Sequence, residues 1–147
     1  MPPRRLTKGH SGNGYAVQLA QALALRGDDM KLLKLSDKEI LDIVFPLAEH
    51  TENSWNQKNY EGFCLHHLKE KTEHIFPKEE FNRQIEESYD IYGYHEIGDF
   101  VALHRNPENI IVLWKVKFEK RKEPGLLIYG FTERDGDVFI EGCSYNA

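Results

Sequence analysis

Apolar and polar positions along the chain follow two different rhythms. From residue 36 to residue 55, Ile40, Ile43, Val44, Leu47, Thr51, Ser54 and Trp55 recur at spacings of three and four, which sets them on one stripe of a helix. Ser36 followed by Glu39 forms a capping box at its start, in which each side chain satisfies a backbone amide that the first turn leaves unpaired. Pro46 inside the pattern predicts a kink or a bend around the core, because proline removes one ladder hydrogen bond. After the polar residues 56–59, Tyr60, Phe63, Cys64, His67 and Leu68 mark a second, shorter helix. Residues 72–76 read as a short strand. Pro77 suits the first turn of a third helix over residues 78–92, with Phe81, Ile85, Ser88, Tyr89 and Tyr92 buried and Gly93 ending it.

Beyond Gly93 the rhythm changes to alternation. Four strands are predicted at residues 94–105, 110–120, 126–134 and 137–145, joined in part by the loop Asn106-Pro107-Glu108-Asn109 and the tight turn Asp135-Gly136. Strands running on after a block of helices define an α+β class with an antiparallel sheet. Alternation sets Ile110, Val112, Trp114, Val116 and Phe118 on one face, and Ile111, Leu113, Lys115 and Lys117 on the other. With the loop at 106–109, Arg105 opposes Ile110 and Val101 opposes Trp114. That register groups Asp99, Val101 and Leu103 with Trp114, the face predicted to lie under the helices. The opposite face, carrying Phe100, Ala102, His104, Ile111 and Leu113, is predicted to be an exposed apolar patch and the interface of a homodimer.

Length and charge narrow the possibilities. A chain of 147 residues, 40% hydrophobic and 29% charged, suits one domain with its own core. A net charge of -5 and a pI of about 5.8 argue against nucleic acid or an anionic membrane as partner. The basic run at residues 115–122 is broken by Val116, Phe118 and Glu119 and reads as a solvated strand edge and turn. No apolar run is long enough to span a membrane, and the first residues lack the apolar core of a secretory signal. Cys64 and Cys143 read as free, buried thiols, so a cytoplasmic location is expected.

Residues 1–30 stand apart as a flexible or accessory extension. Gly9-His10-Ser11-Gly12-Asn13-Gly14 opens an alanine-rich helical stretch and resembles the first turn of short-chain dehydrogenases. No apolar strand precedes it, the glycine spacing is one residue short, and no Rossmann sheet follows, so no cofactor is expected. Met30, directly after Gly27-Asp28-Asp29, is a candidate natural start, with residues 31–147 as the domain.

The order of elements carries a family resemblance. A helix; a second helix around Trp55-Asn56 and Tyr60-Glu61-Gly62-Phe63; a short strand; a third helix; and a four-strand meander resemble the nuclear-transport-factor-two-like, or SnoaL-like, family over residues 36–147. Residues 130–138 with Ile140-Glu141-Gly142 are similar to that family's last hairpin. The resemblance implies a curved sheet wrapped around three N-terminal helices as a cone with an internal cavity, commonly dimeric. Members include isomerases, dehydratases, ligand binders and scaffolds.

Enzymes on such a cone place a carboxylate or histidine inside an apolar cavity. Asp99 is the candidate base, since alternation points it inward beside Trp114; it reads more readily as a strand-end carboxylate bonded to backbone amides near Gly98. Glu141 faces either the cavity or solvent. Trp55, Tyr60, Phe63, Tyr89, Tyr92, Trp114 and Tyr129 are candidates to line the pocket, or else ordinary core. The histidines form no ligand pair at helical spacing: His66 and His67 point apart, and His95 and His104 face opposite ways, so no metal is expected. Catalytic family members often carry an aspartate after the second helix, where this chain offers Glu70 and Glu73. The expectation is therefore a protein that binds a small hydrophobic ligand or acts as a scaffold, without turnover. The alternative is a cofactor-independent isomerase or dehydratase acting on a small hydrophobic carbonyl compound, with Asp99 as base and Tyr60 or Tyr129 as hydrogen-bond donor.

Overall fold

The computed structural model describes residues 30–72 and 76–147. The glycine loop and alanine-rich stretch at residues 1–29 and most of the expected short strand lie outside the described residues. A single 3-10 turn, Lys31–Lys34, leads into α1 (Asp37–Asn56), α2 (Tyr60–Cys64), α3 (Lys69–Thr72) and α4 (Lys78–Tyr92). Four strands follow: β1 (His95–Arg105), β2 (Ile110–Phe118), β3 (Gly125–Arg134) and β4 (Asp137–Asn146). They pair as an antiparallel meander in the order β1-β2-β3-β4, an α+β arrangement with an open sheet.

α1 starts at the predicted capping box, with Ser36 accepting from the Glu39 amide and the Glu39 carboxylate accepting from the Ser36 amide. It continues through Pro46 as one helix of 20 residues. Its buried residues are Ile40, Val44, Ala48, Thr51, Glu52, Ser54 and Trp55. The stripe thus runs along the four-residue line 40-44-48-52 and leaves Ile43 at 40% exposure, where burial was expected. α4 buries Phe81, Ile85, Ser88 and Tyr92 as predicted, leaves Tyr89 half-buried where burial was expected, and ends at Gly93, whose φ of 69° is one that glycine adopts without steric cost.

The expected strand at 72–76 is corrected at its first residue, since Thr72 closes α3. Extra pairing arises just before α3 instead. The Ile140 amide donates to the His66 carbonyl (2.7 Å) and the Leu68 amide donates to the Ile140 carbonyl (3.1 Å), a parallel bridge along β4.

The register of the sheet agrees with the predicted one at the β1–β2 loop, where Arg105 faces Ile110, His104 faces Ile111 and Leu103 faces Val112. It then departs. Phe100, not Val101, stands opposite Trp114, because register shifts flank Phe100 on both sides. Each shift adds one residue to β1 without a partner on β2, and the two together restore parity, so Ile97 again shares a face with Val116. At the far hairpin Asp135 and Gly136 both take positive φ (55° and 86°), as a two-residue turn between twisted strands requires.

The Trp114 face is the buried one. Val112, Trp114, Val116, Leu127, Tyr129 and Phe131 are all at most 2% exposed. Phe45 of α1 meets Trp114 edge-on, with ring centroids 6.1 Å apart. Trp55 gathers Phe63, Phe81 and His95 around it at 5.4–5.9 Å. Met30 and Leu32 also belong to this core, and the Leu32 amide donates to Glu133 (3.1 Å), so the packing of the domain begins ahead of Ser36.

Candidate functional site

α1 and β1 diverge along one side of the sheet and leave a groove of about 540 Å³ lined by Leu41, Asp42, Phe45, Pro46, Gly98, Asp99, Phe100 and Trp114. The helix contributes positions 41, 42, 45 and 46, which helical geometry groups on one face. The strand contributes the bulged residues 98–100, and irregular pairing at that point turns side chains that a regular ladder would bury or aim away. Phe100 is therefore brought to the Trp114 side and remains 43% exposed there. Trp114 forms the floor. The resulting surface is aromatic and aliphatic, with two carboxylates on its rim.

Behind the floor lies a buried polar network. Trp114 meets Tyr129 at 6.0 Å, and the Tyr129 hydroxyl donates to the Glu52 carboxyl. The other oxygen of Glu52 pairs with Nδ1 of His95 at 3.1 Å. The side chains of Glu52 and His95 are 2% and 1% exposed. His95 also stacks on Trp55 and meets the Tyr145 ring at 4.9 Å, while its backbone amide and carbonyl both bond the Asn56 side chain at 2.8 Å. A buried carboxyl group held by a phenol and an imidazole has traded water for protein partners, which fixes α1 against β1 and β3.

The predicted site residues separate in space. Asp99 and Trp114 reach the groove together. Trp55, Phe63 and Tyr129 are fully buried and belong to the core. Tyr92, 3% exposed, packs on Phe118 and Tyr145. Tyr60 donates its hydroxyl to the Phe76 carbonyl (2.7 Å), and burial, then the neighbouring Cys64, pushes its ionisation up to about 12. Tyr89 meets Tyr94 edge-on and carries the Lys58 ammonium 4.4 Å from its ring centroid; burial and then the Tyr94 hydrogen bond raise it to about 12. Glu141 turns inward and accepts from Asn109 (2.9 Å). Of the expected dimer face, Ala102, His104, Ile111 and Leu113 share the side away from Trp114, while Phe100 has left it.

Cys64 and Cys143 are free thiols, as read from the sequence; Cys143 is buried and Cys64 half-buried, its thiol pushed up by that burial. Sequence reasoning missed Glu52, and it missed His67, whose Nε2 lies 4.0 Å from the Cys143 sulfur. A glutamate on the apolar stripe was the available signal for Glu52; nothing local signals the His67–Cys143 approach. Among the described residues no cluster of three or more His, Cys, Asp or Glu side chains could hold a metal ion, and no helix is long and apolar enough to cross a membrane.

Comparison of the sequence with protein-family models and with curated proteins finds no match.

Proposed function

We propose that this chain is a small-molecule-binding protein whose ligand occupies the groove between α1 and β1. The observation that carries the reading is the groove lining: Leu41, Phe45, Pro46, Phe100 and Trp114 around about 540 Å³. Ligand sites typically enclose roughly 300–1,000 Å³ of mostly apolar wall with a few polar groups. The scaffold reading is consistent with it. Helices followed by a four-strand meander support a nuclear-transport-factor-two-like cone over residues 31–147, and the apolar outer face of the sheet supports a homodimer.

The test is thermal stabilisation of the full chain across small hydrophobic acids, ketones, sterols and amines, repeated with Phe100→Arg. A compound that raises the melting temperature of the wild type, but not of a folded Phe100→Arg protein, is the expected result. Equal stabilisation of both proteins would place the ligand elsewhere, and no stabilisation by any compound would sink the reading.

The catalytic alternative, an isomerase or dehydratase acting on a small carbonyl compound, is favoured by one observation, the position of Asp99 on the groove wall. The hydroxyls of Tyr60 and Tyr129 are engaged by Phe76 and Glu52, so Asp99 would act without them. Turnover lost in Asp99→Asn while binding persists would favour this alternative.

A further inference from the structure

We infer that the groove accepts an organic cation: a protonated amine whose ammonium meets Asp99 and whose apolar body lies against Phe45, Pro46 and Phe100. The inference rests on the groove being the ligand site. It starts from an imbalance in the lining, which holds two carboxylates, Asp42 and Asp99, and no basic side chain.

The two acids differ in what they already hold. Asp42 is engaged by Lys38 at 2.9 Å, one turn earlier on α1. Asp99 makes no hydrogen bond or ion pair with another described residue. Residue 46 is proline, so the Asp42 carbonyl lacks the amide donor that an α-helix ordinarily supplies from four residues on. The lining thus carries carboxylates with no basic side chain of its own, and a ligand that brings positive charge complements it.

The apolar part of the wall selects the rest of the ligand. Phe45 and Phe100 present ring surface next to the carboxylate, above the nearly buried Trp114, and aromatic faces attract cations as well as hydrocarbon. Displacing water from such a wall lowers the local dielectric and strengthens the ammonium–carboxylate attraction. A carboxylate ligand of the same shape meets like charge at Asp42 and Asp99.

The experiment compares three probes of one shape, phenethylamine, phenethyl alcohol and hydrocinnamate, titrated into the isotope-labelled full chain and followed by amide and indole NMR shifts. The expected result is that the amine shifts residues 98–100 and the Trp114 indole, binds about fivefold more tightly than the alcohol, and loses that margin in Asp99→Asn. Phe100→Ala should weaken amine and alcohol alike. Equal binding of amine and alcohol would leave the groove reading standing and overturn the cation. Preference for hydrocinnamate would overturn it too. If no probe shifts the groove, the cation inference and the groove reading fall together.

Discussion

Glu52 gives up its hydration for protein contacts that include His95 Nδ1 and the Tyr129 hydroxyl, at partners 43 and 77 residues away in the chain. Removing the Tyr129 hydroxyl takes one donor from a buried carboxyl group. Tyr129→Phe should therefore cost about 1–3 kcal/mol of unfolding free energy, read as a lower urea midpoint at unchanged slope. The glutamate itself was legible as a misfit, one turn after Ala48 on an otherwise apolar line; its partners were not, since nothing local joins α1 to β1 and β3. A second residue sets a pH dependence. Desolvation, and then the nearby His50 ring at 5.0 Å, hold His66 below the ordinary histidine range. The unfolded chain then binds this proton more readily than the fold does, so stability is complete above the ordinary value of 6.5 and declines as pH falls through that range. Stability of the wild type should drop from pH 7 toward about pH 5, and His66→Gln should flatten that slope.

Among the elements, the junction of α1 with β1 is held by the Asn56 side chain as well as by the Glu52–His95 contact. Asn56, the last residue of α1, accepts from the His95 amide and donates to the His95 carbonyl, standing in for a neighbouring strand on the edge of β1 away from β2. Asn56→Ala should destabilise the fold by about 1–3 kcal/mol and speed hydrogen exchange at the His95 amide, and Asn56→Asp, which sets a carboxylate oxygen against the His95 carbonyl, should not restore it. The same strand shows where pattern reading stops. His95, Ile97 and Leu103 lie on the Trp114 face as simple alternation places them, because the two bulges cancel. Phe100, between the bulges, does not. Gly98 was the available hint, as glycine within a strand often marks a bulge, but the number of extra residues is set by how β2 twists beneath β1.

For the whole molecule, the outer side of the sheet carries Ala102, Ile111, Leu113, Leu126 and Ile128, all half-buried, with Gly130, Gly142 and Ser144 beside them. Small residues on such a face let another sheet approach closely, which favours the homodimer read from the alternation of β2. Sedimentation should find a dimer, and Leu113→Asp, which puts a charge at the centre of that face with little effect on the buried side, should leave a folded monomer. A wild type that sediments as a monomer at high micromolar concentration would remove the dimer.

Local rules by themselves determined much of this protein. The capping box at Ser36, the end of α4 at Gly93, the Asp135-Gly136 turn, the α+β order and the buried Trp114 face each follow from residues a few positions apart, because hydrogen-bond satisfaction, backbone sterics and alternation act at short range. Tertiary structure decided the groove and what reaches it. Phe100 and Asp99 meet Phe45 and Pro46 because β1 bulges against a helix more than fifty residues earlier in the chain. Glu52, His95 and Tyr129 meet because three elements share one interior. Such contacts depend on how elements pack, and packing is a property of the assembled surfaces that no single segment contains.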